Sequence, residues 1–231
     1  MPVTFNSFRN LADGFIDLLF PPSCFYCGTE LFGFPEKNIC ASCFQKIIDD
    51  PIHLAERGHG FSSSVSNVFV IGKYDGILRE AVHSFKYKHR ISLGREIMRV
   101  FFSSGKSGIS TFCPDAILYV PLHPLREWER GFNQSRIIAS ELSKVLATPS
   151  LDILRRRKYT RQQVGLGKVE RERNVKGAFA VRRRADKLIA GKKILLVDDV
   201  ITTGATVSEC ANVLIREGRA NEVAVFAMAR R

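Results

Sequence analysis

The chain has 231 residues, 45% of them apolar, and carries 35 Lys and Arg against 23 Asp and Glu, a formal net charge of +12. It is long enough for one substantial domain plus a small one, with an ordinary globular composition. No apolar run approaches the roughly 18 residues of a membrane span, and Arg9, Asp13 and Asp17 break up the N-terminal segment, which excludes a signal h-region. The expected compartment is the cytoplasm. The basic excess points to an anionic partner: nucleic acid, a phosphorylated metabolite or an anionic membrane surface.

From the N-terminus, Phe5, Phe8, Leu11, Ala12, Phe15 and Leu19 recur at near-helical spacing. They predict a short amphipathic helix ended by Pro21-Pro22. Cys24-Phe25-Tyr26-Cys27 and Cys40-Ala41-Ser42-Cys43 follow, two CxxC turns separated by twelve residues. Each turn holds two thiolates close together, and two facing turns close a tetrahedral four-cysteine site. Structural Zn2+ is the favoured occupant, with two disulfides or an iron–sulfur cluster as alternatives. Thiols stay reduced in the cytoplasm, and so small a core needs a staple. Four cysteines satisfy the ion, so His53 and His59 are expected to be solvated loop residues. Residues 1–60 are thus expected to be a helix and a four-cysteine zinc module. Residues 61–67, with Ser62, Ser63, Ser64 and Ser66, read as a linker.

From residue 68 to 231 strand and helix patterns alternate, which predicts an α/β domain with a mostly parallel sheet covered on both faces. Val68 to Tyr74 reads as a strand. A helix through Leu78, Ala81, Val82 and Phe85 ends in the basic run Lys86-Tyr87-Lys88-His89-Arg90. Ile91 to Phe102 is a second helix and Ala116 to Val120 a core strand. That strand runs into a loop carrying Arg126, Arg130 and Arg-Gly-Phe-Asn-Gln-Ser at 130–135. Loops at strand carboxyl ends bind ligands in open α/β sheets, and paired Arg suit a pyrophosphate. A helix over Ile137 to Leu146 and a short strand over Leu151 to Leu154 come next.

The segment after that strand is strongly basic: Arg155, Arg156, Arg157, Lys158 and Arg161, then Arg171 and Arg173. A long polar stretch between core strands is often functional. It is expected either to track a phosphate backbone, with Trp128 and other aromatics stacking bases, or to flap over a bound ligand. Gly177 to Val181 is expected to re-enter the sheet, and Glu222 to Met228 to form its last strand. Cys113 and Cys210 lack a CxxC partner and read as a loop thiol and a core thiol.

The most informative stretch is Ile194 to Thr206, ILLVDDVITTGAT. Four apolar residues suit a parallel strand buried on both faces. Asp198 and Asp199 follow, then the small-residue loop Thr202-Thr203-Gly204-Ala205-Thr206, then a helical pattern with Val207, Cys210, Ala211 and Leu214 on one face. A helix start offers unpaired N–H groups and positive dipole character to a phosphate. The carboxylates beside it suit sugar hydroxyls or a hydrated Mg2+. A phosphate and a diol on one ligand describe a ribose 5-phosphate. A lone acidic pair or Thr cap is commonplace, but thirteen residues in this order are not. No Gly-Lys-Ser/Thr occurs in this loop, which argues against a nucleotide triphosphatase.

This stretch closely resembles the phosphoribosyl pyrophosphate (PRPP) motif of type I phosphoribosyltransferases. Together with the paired CxxC, the RGFNQ segment and the YDGILREAVHSFKYKHR segment, it makes nearly the whole chain resemble the ComF family. The resemblance implies a zinc module joined to a phosphoribosyltransferase-like domain and a role in single-stranded DNA uptake during natural transformation, alongside other DNA-uptake proteins. It further implies PRPP at residues 202–206, with Asp198 and Asp199 as the catalytic pair on the ribose. In that reading Mg2+ is expected with PRPP, at the ribose and pyrophosphate, and Arg126 and Arg130 are the expected pyrophosphate contacts. Lys86, Lys88, Arg155, Arg156 and Arg157 are the expected nucleic-acid contacts, and Cys24, Cys27, Cys40 and Cys43 the zinc ligands. The competing expectation is an active phosphoribosyltransferase with an unidentified small acceptor and no link to DNA.

Overall fold

The structure is a computed structural model that describes residues 21–31, 38–49, 54–55, 61–87, 90–105, 108–158 and 168–231. The expected helix over residues 5–20 lies outside these, as do His53, His59, Lys88 and Arg161.

A five-stranded sheet organises the described residues. Its strands are β1 (Leu54–Ala55), β2 (Val68–Lys73), β3 (Ala116–Tyr119), β6 (Lys193–Ile201) and β7 (Glu222–Arg230). They lie in the order β1-β2-β7-β6-β3. The neighbours β2, β7, β6 and β3 all pair parallel, and only the short edge strand β1 is antiparallel. β6 is therefore flanked on both sides, and it explains its own sequence. Ile194, Leu195, Leu196 and Val197 are all fully buried. Successive side chains on a strand point to opposite faces. Leu195 and Val197 join one core, with Phe85, Ile97 and Ile138. Ile194 and Leu196 join the other, with Val207, Leu214 and Phe179.

Helices α2 (Gly76–Tyr87), α3 (Ile91–Ser103) and α5 (Gln134–Leu146) supply the first core. Helix α7 (Ala205–Arg216) supplies the second. Each buried aliphatic or aromatic side chain contributes about 1.5–3 kcal/mol relative to exposure, so β6 is firmly held between the two cores. No helix among the described residues is long and apolar enough to cross a membrane.

Three features depart from the sequence reading. The stretch Phe179–Val181 (β5) does not rejoin the sheet. It pairs antiparallel with Leu154–Arg156 (β4) in a separate two-stranded ribbon. The strand expected over Leu151 to Leu154 starts only at Leu154, because Leu151 donates its N–H to Ile117 O (2.9 Å) along the edge of β3 before the chain turns away. The loop after β3 contains a helix, α4 (Pro124–Arg130). Pro124 takes its first turn, His123 Nδ1 accepts from Leu125 N–H at 3.3 Å, and Gly131 stops it at φ +74°. Proline pre-sets the first helical φ and glycine tolerates the left-handed exit. A further helix, α6 (Lys168–Val175), has no apolar stripe that could announce it, its sequence being KVERERNV.

Ahead of the sheet, α1 (Ala41–Ile48) carries the second CxxC at its start, and Cys43, Phe44, Ile47 and Ile48 are buried in the first core. Asn38 fastens the same module to α3. Its backbone N–H and its side-chain amide both donate to Glu96 Oε2, at 2.7 and 3.0 Å. Residues 61–67 lie against the larger domain. Ser66 N–H donates to Val223 O (2.8 Å), Ser62 N–H to Ser208 Oγ (3.1 Å), and Val65 is buried.

Candidate functional site

The pairing of β6 with β3 ends at Val197, while β6 continues beside β7 into the acidic pair. Asp198 and Asp199 therefore emerge toward the carboxyl edge of the parallel strands, where such sheets bind ligands. The backbone then passes through Thr202 and Thr203, both half-buried, to Gly204 at φ +77°. That left-handed conformation suits glycine and is strained for a residue with a Cβ. Gly204 is the residue from which α7 starts. Ala205 N–H donates to Thr203 Oγ1 at 3.5 Å, and Ser208 N–H to Gly204 O at 2.9 Å. The twelve-residue helix thus starts directly at the loop, which carries Thr202 and Thr203, with Thr206 in the helix's first turn. This is the arrangement that receives a phosphate at a helix N-terminus.

The two carboxylates have different surroundings. Asp198 Oδ1 accepts hydrogen bonds from Ser135 Oγ (3.2 Å) and from Asp199 N–H (2.9 Å). Burial, followed by the charge of Asp199, pushes its carboxyl up to about 7, against the pull of those hydrogen bonds and of Lys86. Asp199 Oδ2 instead makes a 2.9 Å ion pair with Lys86 Nζ, whose side chain is 17% exposed against 14% for Asp199. Below the pair, burial and the Asp198 charge push the Cys210 thiol well above its usual range.

A third element reaches the site from the β4–β5 ribbon. Pleating separates three consecutive arginines: Arg155 and Arg157 are exposed, while Arg156 turns inward over the Phe179 ring, 5.2 Å from its centroid. Burial, and then the positive charge of Arg126, lower the pKa of Arg156, while Asp198 opposes them. Arg126 and Arg156 therefore feel each other's charge across the site. The ribbon is anchored on α7, whose Glu209 and the adjoining Glu217 accept from the backbone N–H groups of Gly177 (2.6 Å) and Val181 (3.2 Å). On the outer face, Arg157 Nη2 stands 4.0 Å from Glu217 Oε2. Trp128 of α4 is 85% exposed.

Of the residues singled out in the sequence, Asp198, Asp199 and Thr202 to Thr206 thus stand together, joined by Lys86 and by Arg156, which feels the charges of Asp198 and Arg126. Arg130 closes α4, and its side chain lies outside the described part, as does Lys88. Sequence reasoning missed Ser135 as the partner of Asp198, although it ends the quoted RGFNQS segment. Asn133 of that segment accepts from Arg136 N–H (3.4 Å) to cap α5, and donates through Nδ2 to Val120 O (3.1 Å). The segment therefore fixes a helix start rather than forming a free loop.

At the N-terminal module the four sulfurs of Cys24, Cys27, Cys40 and Cys43 all lie within 4.8 Å of one another, with Cys27 and Cys40 3.6 Å apart. Zn–S bonds of about 2.3 Å in a tetrahedron set sulfurs about 3.8 Å apart. All four cysteines are free of disulfides. The donor set, its closure and its spacing fit a structural zinc ion.

Two family models match the chain. The phosphoribosyl transferase domain covers residues 133–231 and the double zinc ribbon domain residues 15–53. Fold and site thus define a protein with a zinc ribbon module and an α/β domain of the phosphoribosyltransferase type. Competence protein F of Haemophilus influenzae is 30% identical over 213 residues, spanning 90% of this chain and 85% of that protein. The DNA utilization protein YhgH of Escherichia coli K12 is 33% identical, over 65% of this chain and 66% of its own length. Competence protein ComFC of Bacillus subtilis is 30% identical, over 68% and 61%. The chain belongs to the ComF family of competence proteins.

Proposed function

We propose that the chain binds PRPP or a related ribose 5-phosphate at the end of β6, and that it takes part in handling single-stranded DNA during natural transformation. The observation that carries the first half is the junction of Asp198–Asp199 with the Thr202–Thr206 helix start. The 5-phosphate meets the amides of α7 and the Thr hydroxyls, while the ribose diol meets the carboxylates. Arg126 and Arg156 then lie where charge beyond the sugar needs neutralising. A hard cation such as Mg2+ would arrive with the ligand, held by the oxygens of its own diol and pyrophosphate. When present, that ion supplies charge neutralisation to a pyrophosphate group.

Calorimetric titration with PRPP tests the site. Asp198→Asn with Asp199→Asn is expected to weaken binding at least tenfold. Gly204→Val is expected to abolish it, since a β-branched residue at φ +77° is strained by about 1–2 kcal/mol and also narrows the loop. Equal affinity in all of these proteins would remove the assignment.

The DNA half rests on charge and kinship: the net charge of +12, the exposed Arg155 and Arg157, and relatives named for competence and DNA utilization. Affinity for single-stranded DNA is expected to fall linearly with log salt, with a slope of about 0.7 per phosphate neutralised. Arg155→Glu with Arg157→Glu should lower both affinity and slope. A double variant that binds as wild type does would place the DNA elsewhere.

The inward turn of Arg156, which feels the Asp198 charge, supports a second reading, an active phosphoribosyltransferase with a small-molecule acceptor. Catalysis there is orientation plus stabilisation of the leaving pyrophosphate. Steady pyrophosphate release from PRPP with some acceptor decides for it.

A further inference from the structure

The ion pair between Lys86 and Asp199 was not expected from the sequence, where Lys86 reads as the first cation of a surface run. The structure turns it inward. Its ammonium stands 2.9 Å from Asp199 Oδ2 with only 17% of the side chain exposed. It lies in the last turn of α2, where a cation also complements the helix dipole. We propose that Lys86 is the resident cation of the acidic pair, holding the Asp199 carboxylate so that free divalent ions are kept off it. The inference deepens the ribose 5-phosphate reading, because it makes the pair a diol acceptor and not a metal-loading site.

The argument is one of charge and space. Magnesium and manganese demand close, near-octahedral oxygen contacts and shed water reluctantly. A divalent ion on Asp199 must either displace the ammonium or sit beside it, and at so short a range two cations in a partly buried setting repel strongly. Asp198 adds little to such a seat, since Oδ1 already accepts from Ser135 and from Asp199 N–H, which leaves only Oδ2 to a cation. A neutral hydroxyl meets no such barrier. It can donate to a carboxylate oxygen while the lysine stays in place, because each oxygen has two lone pairs. Lys86 thus sets selectivity by occupying the position that a metal would otherwise claim.

Mn2+ alone is the probe, titrated into the zinc-loaded full chain and followed by the loss of the free-ion electron paramagnetic resonance signal. Lys86→Met is expected to gain one Mn2+ site at least tenfold tighter than anything Asp199 provides in the wild type. Adding Asp199→Asn should remove it again, and Lys86→Arg should behave as wild type. Asp199→Asn alone, with Lys86 present, should leave Mn2+ binding unchanged within twofold. If Asp199→Asn costs the wild type a manganese site, or if a folded Lys86→Met protein gains none, the proposal is overturned. The Asp199→Asn comparison decides the matter even if Lys86→Met fails to fold. No PRPP enters these titrations, so failure of the phosphoribosyl reading and failure of this one are separately visible.

Discussion

Cys24→Ser is expected to release the zinc ion and unfold the module built around it, while residues 68–231 keep their structure. Cys24 is 2% exposed, and its backbone closes the first turn through Cys24 N–H to Thr29 O (2.8 Å) and Gly28 N–H to Cys24 O (3.0 Å). Little apolar surface backs this up, since the module's buried side chains among the described residues are few: Leu31, Ile39, Phe44, Ile47 and Ile48. Structural zinc contributes roughly 10–16 kcal/mol of apparent folding energy in comparable small modules. No hydrogen bond or methylene in the segment approaches that. Elemental analysis should give one zinc per chain in the wild type and none in the variant. Limited proteolysis should then cut the variant ahead of residue 61 and spare the sheet. Equal zinc in both proteins, or equal resistance to protease, would contradict the expectation.

The second large effect concerns pH and runs against the usual trend for a carboxylate. Burial and Asp199 push Asp198 up to about 7 in the folded chain, while an unfolded Asp titrates near 3.9. Between those values the folded protein keeps a proton that the unfolded chain has released. Stability from this residue is therefore full below about pH 4 and falls as pH rises through about 7, by at most about 4 kcal/mol. Asp198→Asn preserves the oxygen that accepts from Ser135 and Asp199 N–H, and removes the titration. In the absence of ligand it is expected to match the wild type near pH 4 and to exceed it at pH 8. Urea unfolding across that range checks this. A wild-type protein that gains on the variant as pH rises would show that Asp198 is stabilised as an anion. Such latent destabilisation is common where binding is built into a fold.

The sheet and the loop of this site were legible because their cues are local. Ile194 to Val197 can be nothing but a strand buried twice, and Thr202 to Thr206 announces a helix start. Both CxxC turns were equally readable, since ligand spacing is a property of the chain itself. The partners across the site were not. That Ser135 meets Asp198, or Lys86 meets Asp199, depends on how α5 and α2 pack on one face of the sheet. No sequence window holds both ends of either contact. The ribbon was misplaced for a related reason. β5 has strand character, but whether it joins the sheet or a separate hairpin is decided by its distant partner, Leu154 to Arg156. Helix α4 was missed although Pro124 and Gly131 mark its two ends, because its seven residues are too few to display a helical period.

The pleat that divides Arg155, Arg156 and Arg157 has a consequence for how the gene can change. Three adjacent codons encode one residue type, yet they answer to different selective demands. Positions 155 and 157 contribute positive charge to a solvent face, so lysine can replace either arginine, and a lost charge can be made good at a neighbouring surface site. Position 156 must deliver a flat guanidinium over the Phe179 ring and toward Asp198. A lysine there keeps the charge but loses the stacking plane. Drift along this tract is therefore expected to alternate, tolerant, strict, tolerant, with a period of two set by the strand itself.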